Sequence, residues 1–466
     1  MSNRTLIILA AALALAGCRG ADLCGEPGMY PDYRGVTVPA GIAPLNFYNY
    51  GEGARKERIT FTAGSCRTSF RGAEVRWNPD SWSRLLSEAA GDSIYVHSSR
   101  LGDWAVAVSE DPADRYLTYR LIEPGYEVWD EVEIRERDIT CWDERVLASH
   151  SNTANSCMNC HIHKGTSSMF YLRGPKGGAI LNRGGRIRKL NLKAEGMVSS
   201  TVYGDLSPDG RWGVFSSNII IPGFHATESR RMEIFDTASD LCIADFDGNR
   251  MIIPDALARK DVFETFPCFS AEGDAVFYCA ADTVKLPEDI EKLMYSLYRV
   301  SFDPETGETG TPECIWDAST CGGSVCHPKA SPDGRWLLFT VAGYGTFPIW
   351  HRECGLHMMD LSTGESWSLD EVNSDRSDTY HSWSANSRWF VFASKRGDGQ
   401  YGKPYLCHVA EDGSVSKPFL LPQKDPHHYD RTLKSYNIPD FGTEPAPYDM
   451  ERTGDIRDNM DAEEFK

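Results

Sequence analysis

Short apolar runs separated by turn residues dominate the chain. Runs rich in Val, Ile, Phe, Tyr and Trp recur between segments that contain Gly and Pro, a pattern typical of half-buried β-strands. In the first third of the chain this pattern predicts strands over residues 93–98, 104–108 and 116–122, and one short helix over 82–90. We therefore predict an all-β fold with few helices.

A repeat with four copies begins at about residue 200. Each copy starts with Ser, passes through a turn that is Asp-Gly in two copies, and enters an apolar strand; the copies start 63, 61 and 53 residues apart. Asp-Gly accepts the positive φ angles of a tight hairpin turn. A strand also ends at an Asp 28 to 33 residues after each Ser. The serines are Ser207, Ser270, Ser331 and Ser384, and the aspartates are Asp236, Asp303, Asp360 and Asp412.

Two hairpins at a fixed separation match the four-stranded blade of a β-propeller. One such sheet cannot bury both faces alone, so neighbouring sheets must stack around an axis. Four blades are visible in the repeats, and further blades could come from residues 176–205 or from the N-terminal strands. We predict a β-propeller of about six blades with a β-rich N-terminal domain; an irregular sandwich with coincidental turns is the alternative.

The first 17 residues have the features of an export signal. Arg4 is their only charged residue, and an apolar run over 6–16, too short to span a bilayer, ends in Leu-Ala-Gly-Cys18. This ending resembles a bacterial lipobox, which implies that Cys18 is acylated and becomes the first mature residue. A secretion signal with a chance Cys is the alternative. No other stretch of the sequence is long and apolar enough to span a membrane, so we expect a lipid anchor as the only membrane attachment.

Cys157-Met158-Asn159-Cys160-His161 is the motif that indicates a cofactor. C-x-x-C-H is the attachment site of c-type haem, in which both Cys reach the vinyl groups of the porphyrin and the adjacent His binds the iron. A structural zinc site would need a second ligand pair, and a thiol–disulfide pair would begin a helix in a βαβ unit; neither pattern is present. We predict one covalent haem c, bound through Cys157 and Cys160, with His161 as the proximal iron ligand.

The residues leave the second axial ligand of that iron open. Met169 lies eight residues beyond His161, and a thioether there would raise the reduction potential. Met169 is the first candidate, although it could equally be apolar packing. His150, His225 and an open iron position are the alternatives.

A second Cys/His group consists of Cys321, Cys326 and His327. Its four-residue spacing between the two Cys is the rarer one for haem. It could be read as another haem site, but it lies immediately before a propeller repeat, where a strand must enter the blade. We interpret these three residues as ordinary residues at a blade edge. The sequence has no phosphate-binding loop and no nucleophile elbow, so we assign no catalytic residue.

Charge and cysteine content restrict the partners further. The net charge of −19 argues against nucleic acid, because phosphate binding needs a basic face. A basic protein partner is compatible with this charge, and so is simple solubility. Of the 14 Cys, one lipidated and two haem-bound residues leave 11, an odd number that cannot pair fully within the chain. We predict no specific disulfide.

Several segments resemble the haem-motif TolB-like propeller lipoproteins of anaerobic Gram-negative bacteria. The resemblance implies a periplasm-facing propeller with a short haem-binding insertion, and it brings no established substrate or reaction. Members usually lack counterparts of Cys326 and His327, which favours treating both as incidental. The segments are 116–126, 156–161, Met169, 207–215, 380–384, 417–423 and 435–439.

The predicted organisation follows from these signals, and three functions are compatible with it. The first is a c-type cytochrome that relays electrons to or from a periplasmic partner. The second is a non-enzymatic envelope scaffold or protein-binding module with a structural or sensory haem. The third is a haem enzyme with an open iron position. We favour the electron carrier, anchored to the inner or the outer membrane. The predicted parts are a signal peptide (1–17), an N-terminal β-rich domain (18–148), a haem-binding segment (149–180), the propeller (181–430) and a tail (431–466).

Overall fold

The computed structural model describes residues 27–123, 132–152, 158–174, 176–227 and 230–466. For residues 152, 159–160, 224–227 and 230–231 it describes the backbone alone. The predicted lipid site Cys18 and the predicted haem attachment residue Cys157 lie outside the described residues. Within the described part of the chain, no helix is long and apolar enough to cross a membrane.

The N-terminal domain contains two small sheets and one helix. A five-stranded sheet has the order β2-β8-β7-β4-β5, and a three-stranded sheet has the order β1-β3-β6. The helix α1 begins after Asn78, whose side chain accepts the backbone N–H groups of Asp80 and Ser81. Its apolar face packs on the larger sheet. The elements are β1 (Gly28–Tyr30), β2 (Thr37–Pro39), β3 (Phe47–Tyr50), β4 (Arg58–Ala63), β5 (Cys66–Arg71), β6 (Glu74–Val75), α1 (Pro79–Ala89), β7 (Ser93–Ser98) and β8 (Gly102–Ser109).

Six antiparallel sheets of four strands follow, and we number them as blades 1 to 6. Within each blade the strands are named in order from the innermost to the outermost. Blade 1 has β32 (Ser435–Gly442), β9 (Tyr116–Ile122), β10 (Glu133–Asp138) and β11 (Glu144–Ser149); blade 2 has β12 (Met158–Lys164), β13 (Ser167–Leu172), β14 (Gly178–Arg183), β15 (Arg186–Asn191) and an added strand β33 (Glu463–Glu464); blade 3 has β16 (Thr201–Leu206), β17 (Trp212–Thr227), β18 (Arg230–Asp245) and β19 (Arg250–Ile252).

The second half of the ring has the same strand order. Short helices lie in the connections between blades and after the last blade. Blade 4 has β20 (Val262–Phe269), β21 (Ala275–Asp282), β22 (Ser296–Ser301) and β23 (Glu313–Trp316); blade 5 has β24 (Ser324–Ala330), β25 (Trp336–Ala342), β26 (Gly355–Asp360) and β27 (Ser366–Ser368); blade 6 has β28 (Asp378–Trp383), β29 (Trp389–Ser394), β30 (Lys403–His408) and β31 (Phe419–Leu420); the helices are α2 (Ala318–Cys321), α3 (His428–Arg431) and α4 (Met450–Asn459), and 3-10 turns span Ala54–Lys56, His150–Asn152, Asp255–Leu257, Ile290–Lys292 and Pro348–Trp350.

The innermost strands form a closed ring. Each contacts the innermost strand of the next blade, from blade 1 through blade 6 and back to blade 1. Blade 1 is completed from both ends of the propeller sequence, because β32 pairs with β9. This confirms the predicted all-β propeller and gives its blade number as six.

The repeated Ser turns connect the first and second strands of blades 3 to 6. In blade 3 the Ser207 hydroxyl accepts the N–H of Trp212 at 2.9 Å, and the Ser207 N–H donates to the Trp212 carbonyl at 2.9 Å. Gly210 in this turn has φ +69°, where a Cβ would be strained. The same pair of bonds joins Ser331 to Trp336 in blade 5. The prediction that Asp-Gly forms a tight hairpin turn is therefore confirmed.

The second and third strands of blade 3 are longer than predicted. Asp236 does not end a strand, because β17 and β18 are each 16 residues long and the outer turn follows Asp245. The prediction for Asp236 was wrong because the strands of this hairpin extend beyond the blade. Ile220, Pro222 and Ile234 of the extension reach the central channel.

The strand pairing places the domain boundaries elsewhere than predicted. Residues 116–149 belong to blade 1 rather than to the N-terminal domain, and residues 158–191 form blade 2 rather than an insertion. The C-terminal residues are also integral, since β32 closes the ring and β33 extends blade 2. Blades 1 and 2 lack the Ser turn of the repeat, which is why the sequence pattern did not identify them.

Apolar packing between blades and against the N-terminal domain holds the assembly together. Trp212 of blade 3 packs edge-on against Phe302 of blade 4, with 5.3 Å between ring centroids. Trp389 of blade 6 donates its indole N–H to the Asp111 carbonyl at 3.0 Å. The N-terminal domain and blade 6 share one continuous apolar core.

Candidate functional site

Every innermost strand carries a two-residue irregularity at the same level of the ring. Such bulges rotate the following side chains and direct them to one side of a strand. Four of the six bulges hold a non-glycine residue at φ between +49° and +52°, a region that costs energy for such residues. The bulges are 160–161, 202–203, 266–267, 327–328, 380–381 and 438–439.

The bulges surround a cavity of about 350 Å³ on the propeller axis, which we call the aromatic chamber. Four aromatic rings from successive blades lie side by side in its wall, and we call them the aromatic row. Ring centroids are 4.5 Å apart for Tyr203 and Phe266, 4.1 Å for Phe266 and His327, and 5.0 Å for His327 and Tyr380. Phe347 and the extension of blade 3 complete the apolar part of the wall.

His161, the predicted proximal ligand, lines the aromatic chamber from blade 2. Its side chain is 5% exposed, and neither ring nitrogen has a hydrogen-bond partner of normal geometry among the described residues. Burial, together with the charge of Arg120, lowers the pKa of His161 to about 3. The imidazole is therefore neutral and has a lone pair to offer to a metal. The backbone of Cys160 is in the same bulge.

Two further histidines line the same chamber. His327 of blade 5 lies between the rings of Phe266 and Tyr380, and its Nδ1 is buried without a hydrogen-bond partner in the described structure. His381 of blade 6 is 3% exposed, and its Nε2 lies 2.9 Å from the Leu338 carbonyl, which makes Nε2 the protonated nitrogen. Burial lowers the pKa of His327 well below its usual value and that of His381 to about 3.

The second Cys/His group does not form one site. Cys321 is exposed at the end of α2, and Cys326 is buried in the core between blades 4 and 5. The interpretation as ordinary residues at a blade edge agrees with the position of Cys321. It is wrong for His327, because the bulge turns that ring toward the channel.

Met169 is not part of the chamber wall. It lies in β13 opposite Ile162, is 0% exposed, and belongs to the core between blades 2 and 3. The structure thus places the predicted distal ligand in apolar packing, away from the cavity that His161 lines.

A second cavity of about 420 Å³ continues the channel beyond the bulges, and we call it the charged chamber. Lys329 and Asp440 lie in the walls of both cavities. Lys164 donates to Asp205 at 2.8 Å, and Asp205 also accepts the N–H of Phe269 at 3.0 Å. Opposite charges therefore compensate one another at this level of the channel.

These charges shift the ionisation of their neighbours. Burial acts to lower the pKa of Lys329, but Asp205 and Asp440 outweigh it and the pKa is raised. Burial raises the pKa of Asp440 to about 6, against the opposing effect of Lys329.

The histidines of the aromatic chamber can be compared with the ligands that two kinds of metal site require. Among the residues that the structure describes, no three or more His, Cys, Asp or Glu side chains form a group able to hold a metal ion. A haem iron needs only one or two axial protein ligands, because the porphyrin supplies four nitrogens. A cavity of this size with apolar walls and a few polar groups is typical of a small-molecule site.

The sequence analysis did not identify the aromatic row, although the sequence contains a signal for it. The residue four positions before each repeated Ser is aromatic: Tyr203, Phe266, His327 and Tyr380. This periodic position coincides with the bulges and could have identified the channel wall.

No family model matches the chain, and no curated protein matches its sequence. Similar solved structures include TolB from Acinetobacter baumannii, 14% identical with a TM-score of 0.43, covering 71% of this chain and 67% of that one. A hypothetical selenium-binding protein from Sulfolobus tokodaii is 8% identical with a TM-score of 0.43, covering 77% of this chain and 97% of that one. An oligogalacturonate lyase from Vibrio parahaemolyticus is 9% identical with a TM-score of 0.32, covering 64% and 92%. The strand topology by itself establishes the six-bladed propeller, and TolB is among the structures that it resembles.

Proposed function

We propose that the protein is an exported, lipid-anchored c-type cytochrome that transfers electrons to or from a periplasmic protein. Its single haem c is attached to Cys157 and Cys160 and lies in the aromatic chamber, with His161 as an iron ligand. The observation that carries this proposal is the buried, neutral imidazole of His161, which has no hydrogen-bond partner of normal geometry among the described residues and lines the cavity on the propeller axis.

The rest of the chamber supports a porphyrin as the occupant. The aromatic wall matches a flat apolar macrocycle, and Arg120 and Lys329 are the cations in the wall that can meet its carboxylate groups. A bound haem would supply one-electron redox chemistry. The protein's own part is to hold His161 in place and to exclude solvent.

The proposal is tested by producing the protein in a periplasm that matures c-type cytochromes. We expect a coloured protein whose mass exceeds that of polypeptide plus lipid by one haem that resists extraction. Replacing Cys157 and Cys160 together with Ser should abolish the colour and the added mass. Cys326→Ser is the matched control, because Cys326 is buried away from the chamber and should leave haem attachment unchanged. A colourless wild-type protein would contradict the proposal.

A binding or scaffold role is the second candidate, and the closed propeller with its enclosed chamber favours it. In that case the doubly substituted protein would keep its partner, as judged by co-purification from the cell envelope. Loss of partner binding together with the haem would support the cytochrome instead.

A further inference from the structure

We propose that His327 is the second axial ligand of the haem iron, so that the iron is held between two imidazoles from opposite blades. This inference rests on the proposed function, since it concerns the same haem. It replaces Met169 as the distal ligand and assigns a role to a residue of the second Cys/His group.

The ring order places the two histidines across the channel. His161 belongs to blade 2 and His327 to blade 5, and three steps separate these blades in either direction around a six-membered ring. Both residues occupy the bulge of their innermost strand, and both line the aromatic chamber. Two ligands that bind opposite faces of one porphyrin must approach from opposite sides, and this pair does so.

The surroundings of His327 hold its ring in one orientation. Phe266 and Tyr380 pack on its two sides, one from each neighbouring blade. The backbone at His327 has φ +52°, a conformation that is unfavourable for this residue type outside a turn. Strain of this kind persists only where the surrounding structure enforces it, and it is often found at binding sites.

The other candidates are less suited to the iron. The Nε2 of His381 is engaged with the Leu338 carbonyl, which leaves only Nδ1 for a metal, and His381 is on blade 6, next to blade 1 rather than opposite blade 2. The thioether of Met169 would have to leave the core between blades 2 and 3. His163 lines the charged chamber, beyond the bulge.

Two axial imidazoles have a functional consequence. They fill both positions on the iron, which leaves none for a substrate and favours electron transfer over haem catalysis. A Met ligand would give a higher potential than a second His, so the reduction potential should be lower than that of a His/Met cytochrome.

The test uses the matured full-length protein and the variant His327→Phe. Phe is chosen because Phe266 occupies the equivalent bulge of blade 4 at φ +49°, so the aromatic row is kept. We expect near-infrared magnetic circular dichroism and electron paramagnetic resonance of the wild type to show low-spin iron with two imidazoles. In His327→Phe the haem should remain covalently attached, by mass, while the iron becomes high-spin; added imidazole should restore the low-spin spectrum.

The control is Met169→Leu, which lies outside the chamber and should retain the wild-type spectrum. His381→Phe tests the competing ligand, and its iron should stay low-spin. A His/Met spectrum in the wild type, an unchanged spectrum in His327→Phe, or loss of the low-spin form in His381→Phe would overturn the inference while leaving the covalent haem established. If His327→Phe does not fold, the wild-type spectrum still decides between a second His and Met, and His327→Met should raise the reduction potential. A wild-type protein without haem overturns both this inference and the proposed function.

Discussion

The two chambers of the central channel are built from the same six strands but differ in chemistry. The aromatic chamber, at the bulges, is lined mainly by rings and neutral imidazoles. The charged chamber, beyond the bulges, contains the Lys164–Asp205 ion pair, and Lys329 and Asp440 lie where the two chambers meet. The comparison teaches that a bulge of two residues is enough to separate a mainly aromatic wall from an ion-paired layer along one strand. The ionic layer should contribute to stability, and the aromatic layer to binding the proposed haem.

Among the variants that test this comparison, Asp205→Ala should have the largest effect on the free energy of unfolding. It removes the carboxylate that pairs with Lys164, accepts the Phe269 N–H and offsets the charge of the buried Lys329, which is left with Asp440 alone. We expect a loss of about 3 kcal/mol in the free energy of unfolding, measured by urea denaturation. Asp247→Ala is the control, because Asp247 pairs with Arg183 at 2.7 Å but is 58% exposed, and it should cost at most about 1 kcal/mol. Equal losses in both variants would show that the charged chamber has no special role.

The pH dependence of stability should also differ between the chambers. The pKa of His381 in the folded protein is about 3, below its usual 6.5, so the unfolded chain binds the proton more readily. His381 therefore makes stability fall as the pH drops from about 6.5 toward 3. In His381→Phe this fall should be smaller, as measured by denaturation at several pH values.

Asp440 should change the stability with pH in the opposite direction to His381. Its pKa in the folded protein is about 6, above the usual 3.8, so the folded state binds the proton more readily. The stabilisation that Asp440 contributes is fully present below about pH 4 and is lost as the pH rises through 6. Asp440→Asn should remove this part of the profile, so that stability rises more steeply between pH 4 and 6 than in the wild type. Identical profiles for the wild type and Asp440→Asn would refute this assignment.

The smallest effect is expected for the aromatic row. Phe266→Leu removes two ring contacts and should cost about 0.5–1.5 kcal/mol beyond the lost apolar area. If the proposed haem is bound to His327, its absorption should also shift, because His327 loses a neighbouring ring. Phe302→Leu, which loses ring contacts with Trp212 and Phe269 outside the chamber, should lower stability similarly without a spectral change. A spectral shift in both variants would mean that the row does not position the ligand.

Much of the propeller could be predicted from local turn chemistry. The Ser207 and Ser331 turns repeat a hydrogen-bond pattern that depends only on residues close in sequence. The helix after Asn78 was predictable for the same reason. Blade 1 was not, because it pairs Tyr116–Ile122 with Ser435–Gly442, and no local signal encodes a contact over that distance.

Of the residues that line the candidate site, the sequence predicted only His161. C-x-x-C-H identifies His161 by spacing alone, whereas the distal side depends on which strands face one another across the ring. Nearness in sequence therefore favoured Met169, although β-pairing with Ile162 places that side chain in the core. His327 lies 166 residues beyond His161 and reaches the channel only through the bulge.

The closing strand Ser435–Gly442 has a consequence for the order of maturation. It supplies Ile438 and Asp440 to the chamber wall, so the cavity is incomplete until the last part of the chain has been made and paired. A prosthetic group bound covalently to blade 2 would then be surrounded by the chamber wall only after its attachment. Pairing of this strand with blade 1 would thus be the final assembly step, and it would both retain the proposed haem and reduce its exposure to water.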